Sequence, residues 1–385
     1  MGGEPRHANC ALCLAVLNNK SQSKEHIIPN SIGGRRKARA FICKTCNNKL
    51  GETWDAELAK QLNWCALSVG VCRERGEVPK QIVQTIDGRR LWLNNDGTMT
   101  PEKPSYNERL VDGQTEISFT ARDRREAARM IEGVKRKHPG FNEQKAHNQL
   151  EVQHTYLDSP IHMTLGFGGP SAGRSVVKTA WAHASDVGLP NWSCEEAKKY
   201  LTDEGYPPPY GFAYKTDFVS NRPADKVFHC VSLMGDPKTG LLLSYIEYFG
   251  LFRMLVRLSA AYAGASVQET YAIDPATGIA LKLDIDWSVS GEEIGATLDG
   301  DGYTKQGYLA AMNHTMPLLL RRNDERHMSC AVREAFDYAA QSLGIDEGDI
   351  IPSDVWPAFV DAMMEKLDPF IHHLVVRSLP QQSVS

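Results

Sequence analysis

No apolar run in this 385-residue chain approaches the roughly 20 residues needed to cross a bilayer, and the N-terminal Met-Gly-Gly-Glu-Pro-Arg-His carries no signal-peptide core. A soluble, cytoplasmic protein with no membrane partner is expected. Positive charge is not in excess either: 43 Lys and Arg stand against 47 Asp and Glu, a formal net charge of −4. That balance excludes wholesale coating of nucleic acid, so any such binding must come from local patches. No internal repeat, heptad run or low-complexity tract is present. Five of the nine cysteines, Cys65, Cys72, Cys194, Cys230 and Cys330, have no paired spacing and read as free thiols of a reducing compartment.

The other four are paired. Cys10-x-x-Cys13 and Cys43-x-x-Cys46 each place two thiolates on one tight turn, and two such pairs joined by a short hairpin can close a tetrahedral Cys₄ zinc site. A site filled by four protein ligands leaves no open position for water, so this zinc is expected to hold the fold. Chemistry must come from the residues between the pairs.

Those residues include Ser23-Lys-Glu-His-Ile-Ile-Pro29, which reads as a short strand closed by proline. Glu25 offers a hard oxygen ligand for a cation such as Mg²⁺, and His26 a base that titrates near neutral pH. Phosphodiester hydrolysis uses both: a base takes a proton from the attacking water while a metal neutralises charge on the phosphate. Asn47 and Asn48 follow Cys46 directly. Leu50, Trp54, Leu58 and Leu62 then recur every four residues, so the asparagines fall in the first turn of a helix. Helix capping explains an asparagine there equally well.

Taken in order, Cys pair, Glu-His, the Ser-Ile-Gly-Gly turn at Ser31 to Gly34, Cys pair, Asn and helix, the segment from Cys10 to about Leu62 resembles the HNH endonucleases. The resemblance implies a ββα-metal fold, with His26 as general base, Glu25 as a ligand of a catalytic Mg²⁺ or Mn²⁺, and Asn47 as the final ligand, with Asn48 the second choice. The family's middle asparagine has no counterpart between Arg35 and Ile42. Asn30 is the candidate substitute. Arg35, Arg36, Lys37 and Arg39 form a basic run beside this motif and are expected to clamp a nucleic-acid backbone.

The fold class expected is α+β: the N-terminal HNH domain over residues 1–72, a mixed α/β region over 80–225, and an α+β region over 226–385 that can form one body with the preceding section. Cys72 to Pro79 reads as a linker. Gln81–Ile86 and Arg89–Leu93 around Asp87-Gly88 form a hairpin, Thr115 to Thr120 a strand, and Asp123 to Lys137 a helix. Ile161 to Phe167 reads as a strand leading into a helix over Ala172 to Val187. The Gly166-Phe-Gly-Gly-Pro170 turn between them is a weak phosphate-binding signal and more often a turn former. Paired strands follow from Lys226, where His229 reads as a core histidine. Helices dominate after Thr304, and the tail from Leu379 to Ser385 is polar and loose.

The function expected is a DNA endonuclease used in defence against foreign DNA, working as a homodimer or larger assembly because cutting both strands takes two active sites or two visits. Two alternatives stand beside it: an effector nuclease gated by a cyclic oligonucleotide bound to a C-terminal SAVED-type sensor, and a non-catalytic zinc-ribbon module that binds nucleic acid.

Overall fold

The computed structural model describes residues 9–152, 155–163 and 165–378. The loose tail expected from Leu379 and the N-terminal Met1 to His7 lie outside them.

The chain divides into two compact units. Residues 1–79 and 165–323 form the first, and residues 80–164 and 324–385 the second. Two of the three sections expected from the sequence therefore regroup: residues 165–225 join the N-terminal segment, and the terminal helical part joins residues 80–164. The physical reason is burial, because the helix Gly169–Val187 is buried on nearly every side, its polar Ser175, Lys178, Thr179 and His183 included, and sits inside the first unit.

The first unit opens with a zinc-knuckle turn, where Cys10 N–H reaches Ala15 O and Leu14 N–H reaches Cys10 O. The antiparallel hairpin β1 (Gln22–His26) and β2 (Lys37–Cys43) follows. Its register pairs Lys24 with Arg39, Glu25 with Ala38 and His26 with Lys37. Between the strands, the Ser31-Ile-Gly-Gly turn fits no larger residue. Gly33 is left-handed (φ 102°) against Pro275, and a Cβ on Gly34 would fall 1.8 Å from Ile28 O. Helix α1 (Lys44–Glu52) starts at Cys43, and α2 (Trp54–Val69) follows after a break at Thr53. The helix expected after Cys46 is thus two helices, and Leu50, Leu58 and Leu62 all point inward.

The rest of this unit is a six-stranded antiparallel sheet in the order Ala280–Leu281, Val267–Ile273, His229–Asp236, Leu241–Tyr248, Phe252–Ser259 and Tyr210–Phe212. The Gly169–Val187 helix contacts α2 and β2 as well as the three central strands, so it lies between the N-terminal segment and the sheet. Phe41 of β2 meets Trp181 of this helix edge-on at 5.5 Å. The strand expected from Ile161 is only Ile161–His162, and the glycine turn after it is gripped by α2, with the Gln61 amide bonded to both Gly168 N and Gly168 O. Those bonds account for the turn without a phosphate.

The second unit carries a four-stranded sheet containing the expected hairpin, as Gln81–Thr85 and Arg90–Leu93, and a two-stranded ribbon, Ser105–Val111 with Gln114–Thr120. The helix expected over Asp123 to Lys137 is present as Arg124–Lys137, with Asp123 as its cap accepting from Glu126 N–H. Lys305–Ser342 and Trp356–Ser378 are long helices, the first beginning in the first unit. Among the described residues, no helix is long and apolar enough to cross a membrane.

Two buried histidines tie the first unit together. His229 Nδ1 accepts from Phe249 N–H at 3.0 Å, so Nε2 carries the proton given to Ile32 O at 2.7 Å. That bond joins the sheet to the turn behind the hairpin, and His183 similarly reaches Glu269 O at 3.3 Å. Burial pushes each imidazole down to about 4 from an ordinary 6.5. The unfolded chain therefore takes up protons below about 6.5 that the folded one refuses, and stability present above that pH is lost as pH falls toward 4. Unfolding near pH 5.5 is expected to take up about two protons through these rings, measurable as the pH dependence of unfolding free energy. A flat profile between pH 6.5 and 5 would contradict the neutral buried state.

Candidate active site

The four paired cysteines converge. Their sulfurs all lie within 4.8 Å of one another, and Cys13 Sγ stands 3.7 Å from Cys43 Sγ. Tetrahedral zinc with Zn–S bonds of about 2.3 Å requires sulfur–sulfur edges of about 3.8 Å, so the site fits zinc. Backbone N–H groups orient the sulfurs: Cys43 N–H bonds Cys10 Sγ and Cys46 N–H bonds Cys43 Sγ. The Ala15 backbone N–H helps draw the Cys13 thiol down to about 7, toward the thiolate that a metal needs. The cluster joins the first turn to the junction of β2 and α1, which fixes the frame carrying the rest of the site.

Strand alternation separates the Glu-His pair. Glu25 is buried, and its carboxylate bonds the Lys178 ammonium from the Gly169–Val187 helix. Lys178 is itself fully buried and also holds Asp55 of α2 at 2.6 Å, while Ser175 donates to the other Asp55 oxygen at 2.5 Å. One ammonium thus sits between two carboxylates. Burial alone would push Lys178 down, but Asp55 and Glu25 outweigh it and hold it above its ordinary value. Glu25 is held up by burial, with Lys178 opposing and Asp55 adding to the shift.

His26 sits on the other face of β1. Its Nε2 is 3.2 Å from Glu74 Oε2, the same oxygen that Lys37 Nζ reaches at 2.6 Å. Hydrogen bonding from Lys37 and His26 keeps the Glu74 carboxyl below its usual range, so it accepts and His26 Nε2 donates. The neutral ring then presents Nδ1 as its free base. Burial and the Lys37 charge lower the His26 pKa while Glu74 opposes them, so the ring is unprotonated at neutral pH.

Asn47 and Asn48 stand in the first turns of α1, Asn47 half-buried and Asn48 exposed. Asn47 lines a cleft on the side of the hairpin that carries Lys24 and Arg39. The expected cation ligands are therefore dispersed. Glu25 is neutralised by Lys178, and the Cys₄ set is the one cluster of three or more His, Cys, Asp or Glu among the described residues. These placements do not fit a divalent cation held by Glu25.

The basic run also splits. Arg35 bonds Cys72 O at 2.5 Å, Arg36 pairs with Asp186 at 2.7 Å and Lys37 is held by Glu74, which leaves Arg39 of the four facing open space. Asn30 Nδ2 bonds Gly34 O at 3.3 Å, bracing the loop that the missing middle asparagine would brace. Lys178 and Glu74 escaped the sequence reading because nothing in their spacing links them to the motif.

This zinc-pinned hairpin followed by a helix can now be compared with known proteins. Residues 10–63 match the HNH endonuclease family model. The N-terminal segment is of the HNH endonuclease type, with a nucleic acid as the substrate class, while no curated protein and no solved structure matches the chain. The HNH match ends at residue 63, so Lys178 contributes to its interior from outside the matched segment.

Lys178→Met is expected to cost roughly 3–5 kcal/mol in urea unfolding, since it strands two acids in the interior; a loss below about 1 kcal/mol would mean that water already reaches them. Cys43→Ser is expected to release zinc and unfold the N-terminal segment, and a folded, zinc-loaded variant in metal analysis would contradict the structural role.

Proposed function

We propose that the protein is an endonuclease that hydrolyses DNA phosphodiester bonds, used in defence against foreign DNA. The observation that carries this reading is the His26–Glu74 pair: a neutral imidazole on the open face of an HNH-type hairpin, with one nitrogen tied to a carboxylate and the other free.

In this reading His26 Nδ1 takes the proton from a water as its oxygen attacks phosphorus and the bond to the leaving oxygen breaks. Glu74 fixes the ring and stabilises the imidazolium that forms, the positioning role that a carboxylate plays beside a general base. Lys24 and Arg39 lie on the same face and offset phosphate charge. Cutting of both strands calls for a homodimer or larger assembly, or two visits.

The test is cleavage of supercoiled plasmid with Mg²⁺, Mn²⁺ or EDTA. The intact chain is expected to cut, and His26→Ala to lose at least about 100-fold in rate while keeping zinc and fold. Equal cutting by His26→Ala would refute the assignment of the base. Glu74→Gln removes a group that raises the His26 pKa, so the acid limb of the rate profile is expected to move to lower pH. Adding pooled cyclic oligonucleotides distinguishes a gated effector from a constitutive enzyme, and binding without cutting under every condition would favour the zinc-ribbon alternative.

A further inference from the structure

The β1–β2 hairpin and the start of α1 wall a cleft of about 550 Å³. Four cations line it: Lys24 from β1, Arg39 from β2, Lys44 from the first turn of α1 and Arg75 from the segment after α2. The amides of Asn19, Gln22 and Asn47 share its wall, and among the described residues no carboxylate does.

The charges in this cleft are uncompensated. Every other basic residue between Arg35 and Lys37 is held by the chain itself, on Cys72 O, Asp186 or Glu74. Lys24, Arg39, Lys44 and Arg75 form no ion pair among the described residues. The strand register sets Lys24 directly opposite Arg39, a like-charge pair that destabilises a hairpin unless something negative comes between. Four unpaired cations drawn together from four places in the sequence repel one another, and a polyanion relieves that repulsion. The amides add neutral donors of the kind that bond phosphate oxygens.

We infer that this cleft seats the backbone phosphates of the DNA strand next to the scissile bond, and that Lys44 and Arg75 are substrate-binding residues. Lys24 and His26 are two residues apart on one strand face, about 7 Å along the strand, so a phosphate held between Lys24 and Arg39 adjoins the base. In place of the clamp expected over Arg35, Arg36, Lys37 and Arg39 stands a set drawn from four places in the sequence, of which Arg39 is the one shared member.

This inference rests on the reading of the segment as a nuclease, and its test is arranged so that the two fail separately. The full-length chain carrying His26→Ala, which holds DNA without cutting it, is titrated against a fluorescent 20-base-pair duplex over a range of KCl concentrations. Adding Lys44→Gln and Arg75→Gln is expected to weaken binding at least about tenfold and to flatten the log–log salt slope by about 2, one unit per lost phosphate contact. A parallel control, Lys238→Gln with Lys282→Gln on the sheet body, removes the same charge from exposed positions and is expected to leave both unchanged. An unaltered affinity and slope in the cleft variant would overturn the inference, as would an equal loss in the control. A cleft-dependent affinity combined with no cleavage by the native chain would leave the inference standing and defeat the nuclease reading.

Discussion

A single buried ammonium organises the first unit. Lys178 lies where β1, α2 and the Gly169–Val187 helix meet, and among the described residues it is the one cation paired with Glu25 and Asp55. Taking three charges out of water costs several kcal/mol per ion unless geometry and further hydrogen bonds offset it. Ser175 supplies one such bond, and Tyr248 bonding Thr179 closes the polar layer on the sheet side. Any rotation of the helix about its own axis would strand all three charges, so the triad fixes which face of the helix meets the hairpin. Burial of Phe41 against Trp181 fills the apolar remainder.

The period of two along a strand accounts for how the site divides. Neighbouring residues on β1 face opposite ways, so Glu25 belongs to the interior and His26 to the open face. The same alternation on β2 buries Ala38 and exposes Arg39. An electrostatically strained, open face and a saturated inner face are thus built from one short hairpin. The cysteine cluster ties the first turn to the end of β2 and the start of α1 and so anchors the hairpin to the helix that follows it.

Much of this was legible in the sequence. The cysteine spacing announced the metal cluster because Cys-x-x-C imposes its own local geometry, and the Asp-Gly turn and the apolar periodicity of Asp123 to Lys137 marked elements of the second unit for similarly local reasons. Glu74 was hidden in a stretch read as a linker, since its role depends on a chain reversal that brings it back over His26. Lys178 was hidden more deeply: a lysine within an apolar helix reads as a solvated interruption, and its partners lie 123 and 153 positions away. The unit boundaries were missed for the same reason, because residues 80–164 interrupt a core whose two halves carry no shared local pattern.

That interruption has a temporal side. Ribosomes deliver a chain from its N-terminus at about 5–20 residues per second, and Glu25 is made 153 residues before Lys178. The hairpin, with its zinc ligands complete by residue 46, therefore waits about 8–30 s for the counter-charge that lets Glu25 be buried. During that interval residues 47–178 are being synthesised, and the strands of the six-stranded sheet, Tyr210–Phe212 onward, follow later still, so the N-terminal segment reaches its packed state well after its own residues are made.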